Sequence, residues 1–346
     1  MNAAPFWFLQ SLAVGALAAA CVALCPASLR SRVRQAVPVA AFATFVLLVG
    51  CLFLPKLETG ALRTSMMIPV PEALSSSTKA GVSWLMEGWM VGCAIFLLRL
   101  AAGSWTVWCI LRTTQPVPGR AWKQLMDECQ RTLGLRGRVR LRLAGPGFVP
   151  SAAGLFRRTV LLPDEALHWT REQRKLVLLH ELGHFRRGDL WAHALGRLAC
   201  ALHWFNPFAW MLQRHLAVER EFACDELVVA RGAAPDDYAT LLFEMATAAR
   251  RRPMLEAAFL TMASRRTGKL EARVLRILEP VRKSRRWQRV LDGTLCATLT
   301  SLLVVCAAAK PESRDFGLHD KHAKHSPGSW TKPEVEMRLA AEAFPE

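Results

Sequence analysis

The sequence predicts a mainly α membrane protein, with four transmembrane helices and a cytoplasmic α+β domain between the third and the fourth. Three observations carry this expectation. Of 346 residues 52% are hydrophobic, yet the formal net charge is +17. A soluble domain rarely combines both extremes, whereas apolar spans flanked by basic cytoplasmic segments do so naturally. The apolar residues gather into four separate stretches, and most of the Arg and Lys fall between the last two of them.

Taken in order, the spans are Pro5–Ala27, Val37–Leu54, Val82–Ser104 and Val290–Ala309. Each approaches the roughly 20 apolar residues that cross a bilayer at about 1.5 Å rise per residue. The first has the length of a signal peptide but no basic residue ahead of its apolar core; Arg30, Arg32 and Arg34 follow it, as suits a retained anchor. Basic residues favour the cytoplasmic side, so the Arg30–Arg34 turn and the segment from Arg112 to Arg289 are expected inside. Lys56–Ala80 and both termini are then external. This divides the chain into 1–111 (three spans with short loops), 112–289 (cytoplasmic domain), 290–309 (fourth span) and 310–346 (a short external tail with a disordered composition). Glu87 and Arg99 lie near the ends of the third span, where long charged side chains snorkel to the interface.

The positive charge points to membrane lipid as a partner rather than to nucleic acid. The Arg residues are scattered and form no DNA-binding motif, and an Arg-rich cytoplasmic surface sits well beside anionic lipid. The ten Cys form no disulfide framework. Cys21, Cys25, Cys51, Cys93, Cys296 and Cys306 lie in apolar runs, and Cys129 and Cys224 have no CxxC partner.

Within the cytoplasmic segment, Arg138–Leu143 alternates basic and apolar residues as a half-exposed strand does. Thr159–Leu162, ended by Pro163, reads as a second strand, one that offers an edge to an extended peptide. Leu190–Gln213 is apolar but carries His193, Arg197, His203 and Asn206-Pro207, so a helix in the domain or at the membrane interface is expected there, not a fifth span.

Thr170 followed by Gln173 has the form of a capping box, and Gly188 that of a helix stop. The helix between them places His180 and His184 one turn apart on one face. Two imidazoles so placed reach one zinc ion at about 2.0–2.1 Å, and Glu181 beside them is suited to hydrogen-bond the attacking water as general base. A catalytic zinc, one per chain, needs a third protein ligand. Glu221 and Asp225, again at i and i+4, supply it: Glu221 as ligand and Asp225 as the carboxylate that orients a ligand histidine. Glu219, which shares no face with Asp225, is the alternative ligand. An oxyanion donor is expected among Tyr238, His215 and Arg220, and the sequence does not choose between them.

These motifs, His180-Glu181-Leu182-Gly183-His184 running on through Phe185–Leu190, then His203-Trp204-Phe205-Asn206-Pro207, then Glu219–Glu226, with Gly154–Pro163 upstream, resemble those of the BlaR/MecR-type antirepressor membrane metallopeptidases. The resemblance covers about Val37 to Arg289. It implies a gluzincin metalloprotease domain in a bacterial inner membrane, with zinc on two His and one Glu. It also implies signal-dependent cleavage of a protein substrate, either a transcriptional repressor or the chain itself; a homo-oligomer is a separate expectation. An equivalent self-cleavage segment falls near Ala257–Ser264. Well-known members carry a large external penicillin-binding sensor domain after the last span, whereas Lys310–Glu346 is far too short for one. Ser329-Trp330-Thr331-Lys332 has no companion motifs, and His319, His322 and His325 suit either a metal or plain solvation. A housekeeping protease of the prenyl-protein or quality-control type, and a non-catalytic membrane adaptor, are the competing readings.

Overall fold

The computed structural model describes residues 3–24, 31–53, 78–250 and 267–278. The expected fourth span, the segment Ala257–Ser264 and the His-containing tail lie outside the described residues.

The N-terminal apolar stretches form α1 (Ala3–Leu24), α2 (Ser31–Phe53) and α3 (Thr78–Thr113). Of the described helices, one is long and apolar enough to cross a membrane: Trp84–Thr113 of α3, 30 residues with mean hydropathy 1.7. Its Trp84, Leu85, Val91, Leu98 and Trp105 are exposed, an apolar surface that is stable only in apolar surroundings. The apolar parts of α1 and α2, Trp7–Ala23 and Arg34–Val49, are shorter.

Leu190–Gln213 breaks into two helices because Asn206 caps a new one, accepting from Phe208 N at 3.0 Å, with Pro207 in its first turn. The results are α6 (Asp189–Leu202) and α7 (Pro207–Ala230), numbered in chain order after α4 and α5 below. α6 packs against α2 and α3, and α7 against α1 and α2. Trp7, Phe42, Phe45, Trp89, Ala199 and Leu212 build this core. The loop between the two helices is pinned by polar bonds. Ser11 Oγ donates to His203 Nδ1 at 2.7 Å, while His203 Nε2 donates to the Phe45 carbonyl at 2.9 Å. Asn206 Nδ2 donates to the Ser11 carbonyl and Trp89 Nε1 to that of Leu202, at 2.9 and 2.8 Å. Buried polar groups are stable only when so paired.

A second core lies around a small sheet of β1 (Gln115–Pro116), β2 (Arg140–Leu143), β3 (Ser151–Ala153) and β4 (Thr159–Leu162), in the order β1-β2-β4-β3. β2 runs parallel to β4, pairing Arg140 with Thr159 through Leu143 with Leu162, and β3 is antiparallel to β4. Thr159–Leu162 is thus an inner strand, buried along its length. It has no free edge for a peptide, contrary to the expectation from sequence; the edge strand beside it is β3. Arg142 ties the sheet to α3 by donating to the carbonyls of Leu111 and Thr114 at 2.8 and 2.9 Å. The amphipathic α4 (Arg120–Leu133) packs on α5 (Arg171–Arg187), which lies against β3 and β4, and together with the sheet they bury Leu125, Met126, Cys129, Val160, Leu178 and Leu182. The described chain closes with α8 (Pro235–Arg250) and α9 (Thr267–Leu278), which pack on each other and, for α9, on α7.

His203→Ala removes the shared partner of α1 and α2 and leaves a cavity, so it is expected to cost about 2–5 kcal/mol. Denaturant unfolding of the detergent-solubilised protein measures this, and an unchanged midpoint would show that other contacts hold the bundle.

Candidate metal centre

The centre is assembled on two helices. Thr170 and Gln173 close a reciprocal capping box at the start of α5, and Gly188, at φ 76°, ends it in the left-handed conformation that a glycine adopts without strain. Apolar Val177, Leu178, Leu179 and Leu182 bury the middle of the helix, so His180, Glu181 and His184 are carried inside with relative exposures of 8%, 7% and 7%. On the facing α7, Glu221 and Asp225 lie one turn apart. His180, His184 and Glu221 bring one ligand atom each to within 4.8 Å of one another. Glu221 Oε2 is 3.5 Å from His180 Nε2 and Glu221 Oε1 is 4.0 Å from His184 Nε2. Donors about 2.0–2.1 Å from a tetrahedral ion lie about 3.4 Å apart, so the set fits zinc with little adjustment.

Both imidazoles are held by their other nitrogen. His184 Nδ1 donates to Asp189 Oδ2 at 2.9 Å. Tyr238 Oη lies 2.8 Å from His180 Nδ1 and donates to Asp225 Oδ1 at 2.7 Å, while His180 Nδ1 is 3.2 Å from the same oxygen. A proton on each Nδ1 leaves the Nε2 lone pairs directed at one point, the arrangement common to metal-binding histidines. Cys224 Sγ lies 3.3 Å from His184 Nδ1 and donates to Asp189 Oδ2 at 3.6 Å. Burial pushes this thiol well above its ordinary pKa, and His184, Asp189 and Cys224 form a second group of donors within 4.8 Å of one another.

The remaining sequence candidates fall into place around this set. Glu219, 1% exposed, pairs with Arg34 of α2 at 3.0 Å and lies outside the cluster. His215 Nε2 points toward Glu219, 4.0 Å away, and Arg220 Nη2 donates to Glu221 Oε1 at 3.2 Å. Tyr238 is buried, with its hydroxyl committed to Asp225 and His180.

Two residues escaped the sequence reading. Asp189 sits just past the Gly188 stop, and a carboxylate directly behind a helix that ends on a candidate ligand histidine was a usable signal. Arg273 had none. It arrives on α9, donating from Nε and Nη2 to Asp225 Oδ2 and Oδ1 at 2.7 Å each, and its Nη1 is 3.5 Å from Glu221 Oε2.

Charge balances across the cluster. Burial alone would raise the Glu221 carboxyl, but the hydrogen bond from His180 and the charges of His184, Arg273 and Arg220 hold it well below the usual range. Asp225 is likewise held at about 2, its burial outweighed by Arg273. Burial disfavours the His180 imidazolium, yet Asp225 and Glu221 together raise its pKa to about 9 when no ion is bound. A metal must displace that proton. Apparent metal affinity is therefore expected to fall about tenfold for each pH unit below 9, for one proton released. By the same shift, His180 stabilises the ion-free fold below its unfolded pKa of about 6.5, and loses that contribution as pH rises through about 9. Chelator competition between pH 6.5 and 8.5 measures the first effect, and a flat profile would show that His180 carries no proton.

Comparison with known proteins follows the same lines. The family described as BlaR1 peptidase M56 matches residues 16–277, which takes in α2 through α9 and every residue of the cluster. Regulatory protein BlaR1 of Bacillus licheniformis is 28% identical over 154 residues, 44% of this chain and 26% of that protein. The matched stretch thus spans only about a quarter of that relative's own length. A family match over most of the chain, together with a His/His/Glu cluster at its centre, makes this protein a member of the BlaR1 peptidase M56 family.

Proposed function

We propose that the chain is a zinc metalloendopeptidase that hydrolyses peptide bonds at the cytoplasmic face of a membrane, in signal-dependent regulatory proteolysis. The observation that carries this reading is the convergence of His180, His184 and Glu221, with Glu181 next to the first ligand on the same buried turn. His180, His184 and Glu221 would hold the zinc ion, which would supply Lewis acidity to a water and to the scissile carbonyl. Glu181 then accepts the water's proton and delivers it to the leaving amine. Asp189 and Asp225 keep the ligand imidazoles in the tautomer that presents Nε2.

Of the three candidates for the oxyanion, Arg220 is favoured. Its guanidinium already reaches Glu221 at the centre, whereas the Tyr238 hydroxyl is engaged on the far nitrogen of His180 and His215 faces Glu219. An extended substrate is assigned to the edge of β3, which packs on α5.

The exposed apolar face of α3 supports a membrane location. The four-span topology with both termini external, the cytoplasmic 112–289 domain and one zinc per chain complete the proposal. The regulatory setting rests on the name of the BlaR1 relative, and the substrate class is a protein, either a repressor or the chain itself.

Glu181→Gln is expected to keep zinc near one per chain while cleavage falls by about 10²–10⁴-fold. Cleavage that survives this change would remove Glu181 as the base. Glu221→Ala is expected to weaken zinc binding far more than Glu219→Ala, measured by metal content after dialysis; the opposite order would move the third ligand to Glu219.

A further inference from the structure

We infer that Arg273 is a positioning residue of the metal centre, holding two of the three ligand side chains from a separate helix. This rests on the zinc-site reading above and says what keeps that site in register. Arg273 lies 48 residues beyond Asp225 in the chain, on α9, and its side chain is 17% exposed. Its fork grips both oxygens of Asp225 at 2.7 Å, a bidentate geometry that fixes the carboxylate in angle as well as distance. From Asp225 the chain of donors runs to Tyr238, whose hydroxyl donates to Oδ1, and on to His180 Nδ1. The third guanidinium nitrogen, Nη1, meets Glu221 Oε2 at 3.5 Å. One side chain therefore acts directly on the carboxylate ligand and, through two bonded intermediaries, on the first histidine.

The arrangement answers a specific problem. Glu221 and Asp225 are like charges one helical turn apart, both anchored on α7, and such pairs repel. Without a cation between them, Asp225 at 4% exposure would turn away, and the Tyr238 hydroxyl behind His180 would lose its acceptor. Glu221 would swing toward solvent. Arg273 prevents both by sitting against the two carboxylates at once.

Docking α9 onto the fold does not need Arg273. Ile277 is buried in the core and Val274 packs against it. Arg276 pairs with Glu226 at 2.9 Å and lies over the Phe222 ring. Arg276 is thus a natural control, on the same helix and the same neighbour but away from the ligands.

The sign of the effect separates positioning from plain charge. As a bare cation near the ion, Arg273 would repel zinc, and its removal would tighten binding. As a positioning residue, its removal weakens binding by about 10–100-fold, the usual cost of losing a partner behind a metal ligand.

The test is zinc affinity by chelator competition, with thermal melts of the ion-free form, on the full chain in detergent micelles. Arg273→Gln is expected to lose affinity by that factor, Arg273→Lys to recover little because it lacks the fork, and Arg276→Gln to bind as the wild type does. Wild-type affinity or tighter in Arg273→Gln, or an equal loss in Arg276→Gln, would overturn the inference while leaving the zinc site standing. A wild-type protein that takes up no zinc would instead overturn the protease reading, and this inference with it.

Discussion

The organisation of this protein depends on one constraint: two imidazoles a helical turn apart can share an ion only if each is turned so that Nε2 faces inward. Helical spacing alone leaves both rings free to rotate. What stops them is a hydrogen bond to each Nδ1, from His184 to Asp189 and from His180 to the Tyr238–Asp225 pair. Those partners belong to three other helices, so the centre exists only where α5, α6, α7 and α8 meet. The burial of Leu178, Leu179 and Leu182 sets α5 into that junction and carries Glu181 with it.

Two of the helices that complete the centre, α6 and α7, also form the apolar bundle with α1, α2 and α3. α6 begins at Asp189, behind His184, and is capped at its end by His203, bonded to Ser11 of α1 and the Phe45 carbonyl of α2. α7 begins beside that bundle at Asn206 and carries Glu221 a few turns later. At the near end of α2, Gln35 accepts from Arg187 at the end of α5, and Arg34 pairs with Glu219 two residues before Glu221. The candidate metal centre and the N-terminal helices are thus joined through packed side chains, the Arg187–Gln35 hydrogen bond and the Arg34–Glu219 ion pair.

Much of the local structure was legible in the residues. The capping box at Thr170, the glycine stop at 188, the existence of a strand at Thr159–Leu162 and the helical pairing of Glu221 with Asp225 follow from short-range chemistry, and the structure shows each. The segment Leu190–Gln213 was less readable. Its apolar composition and its polar interruptions suited a buried or an interfacial helix equally, because composition records that a face must be covered but not by what. The covering elements proved to be α1 to α3. The strand edge was misjudged for a related reason: pairing partners on either side of β4 come from residues distant in sequence, and alternation says nothing of order within a sheet.

The sequence by itself determined which side chains could bind and use a metal, since residue type and helical period dictate that His180, His184 and Glu181 share a buried turn and that Glu221 and Asp225 share another. Tertiary structure alone decided how those turns are matched. It gave Glu219 to Arg34 instead of to the metal set, put Tyr238 behind His180, and brought Arg273 across from α9 to grip Asp225. The physical reason is that ligand identity is a property of local chemistry, whereas the orientation and charge of a ligand are set by neighbours that only packing brings within reach.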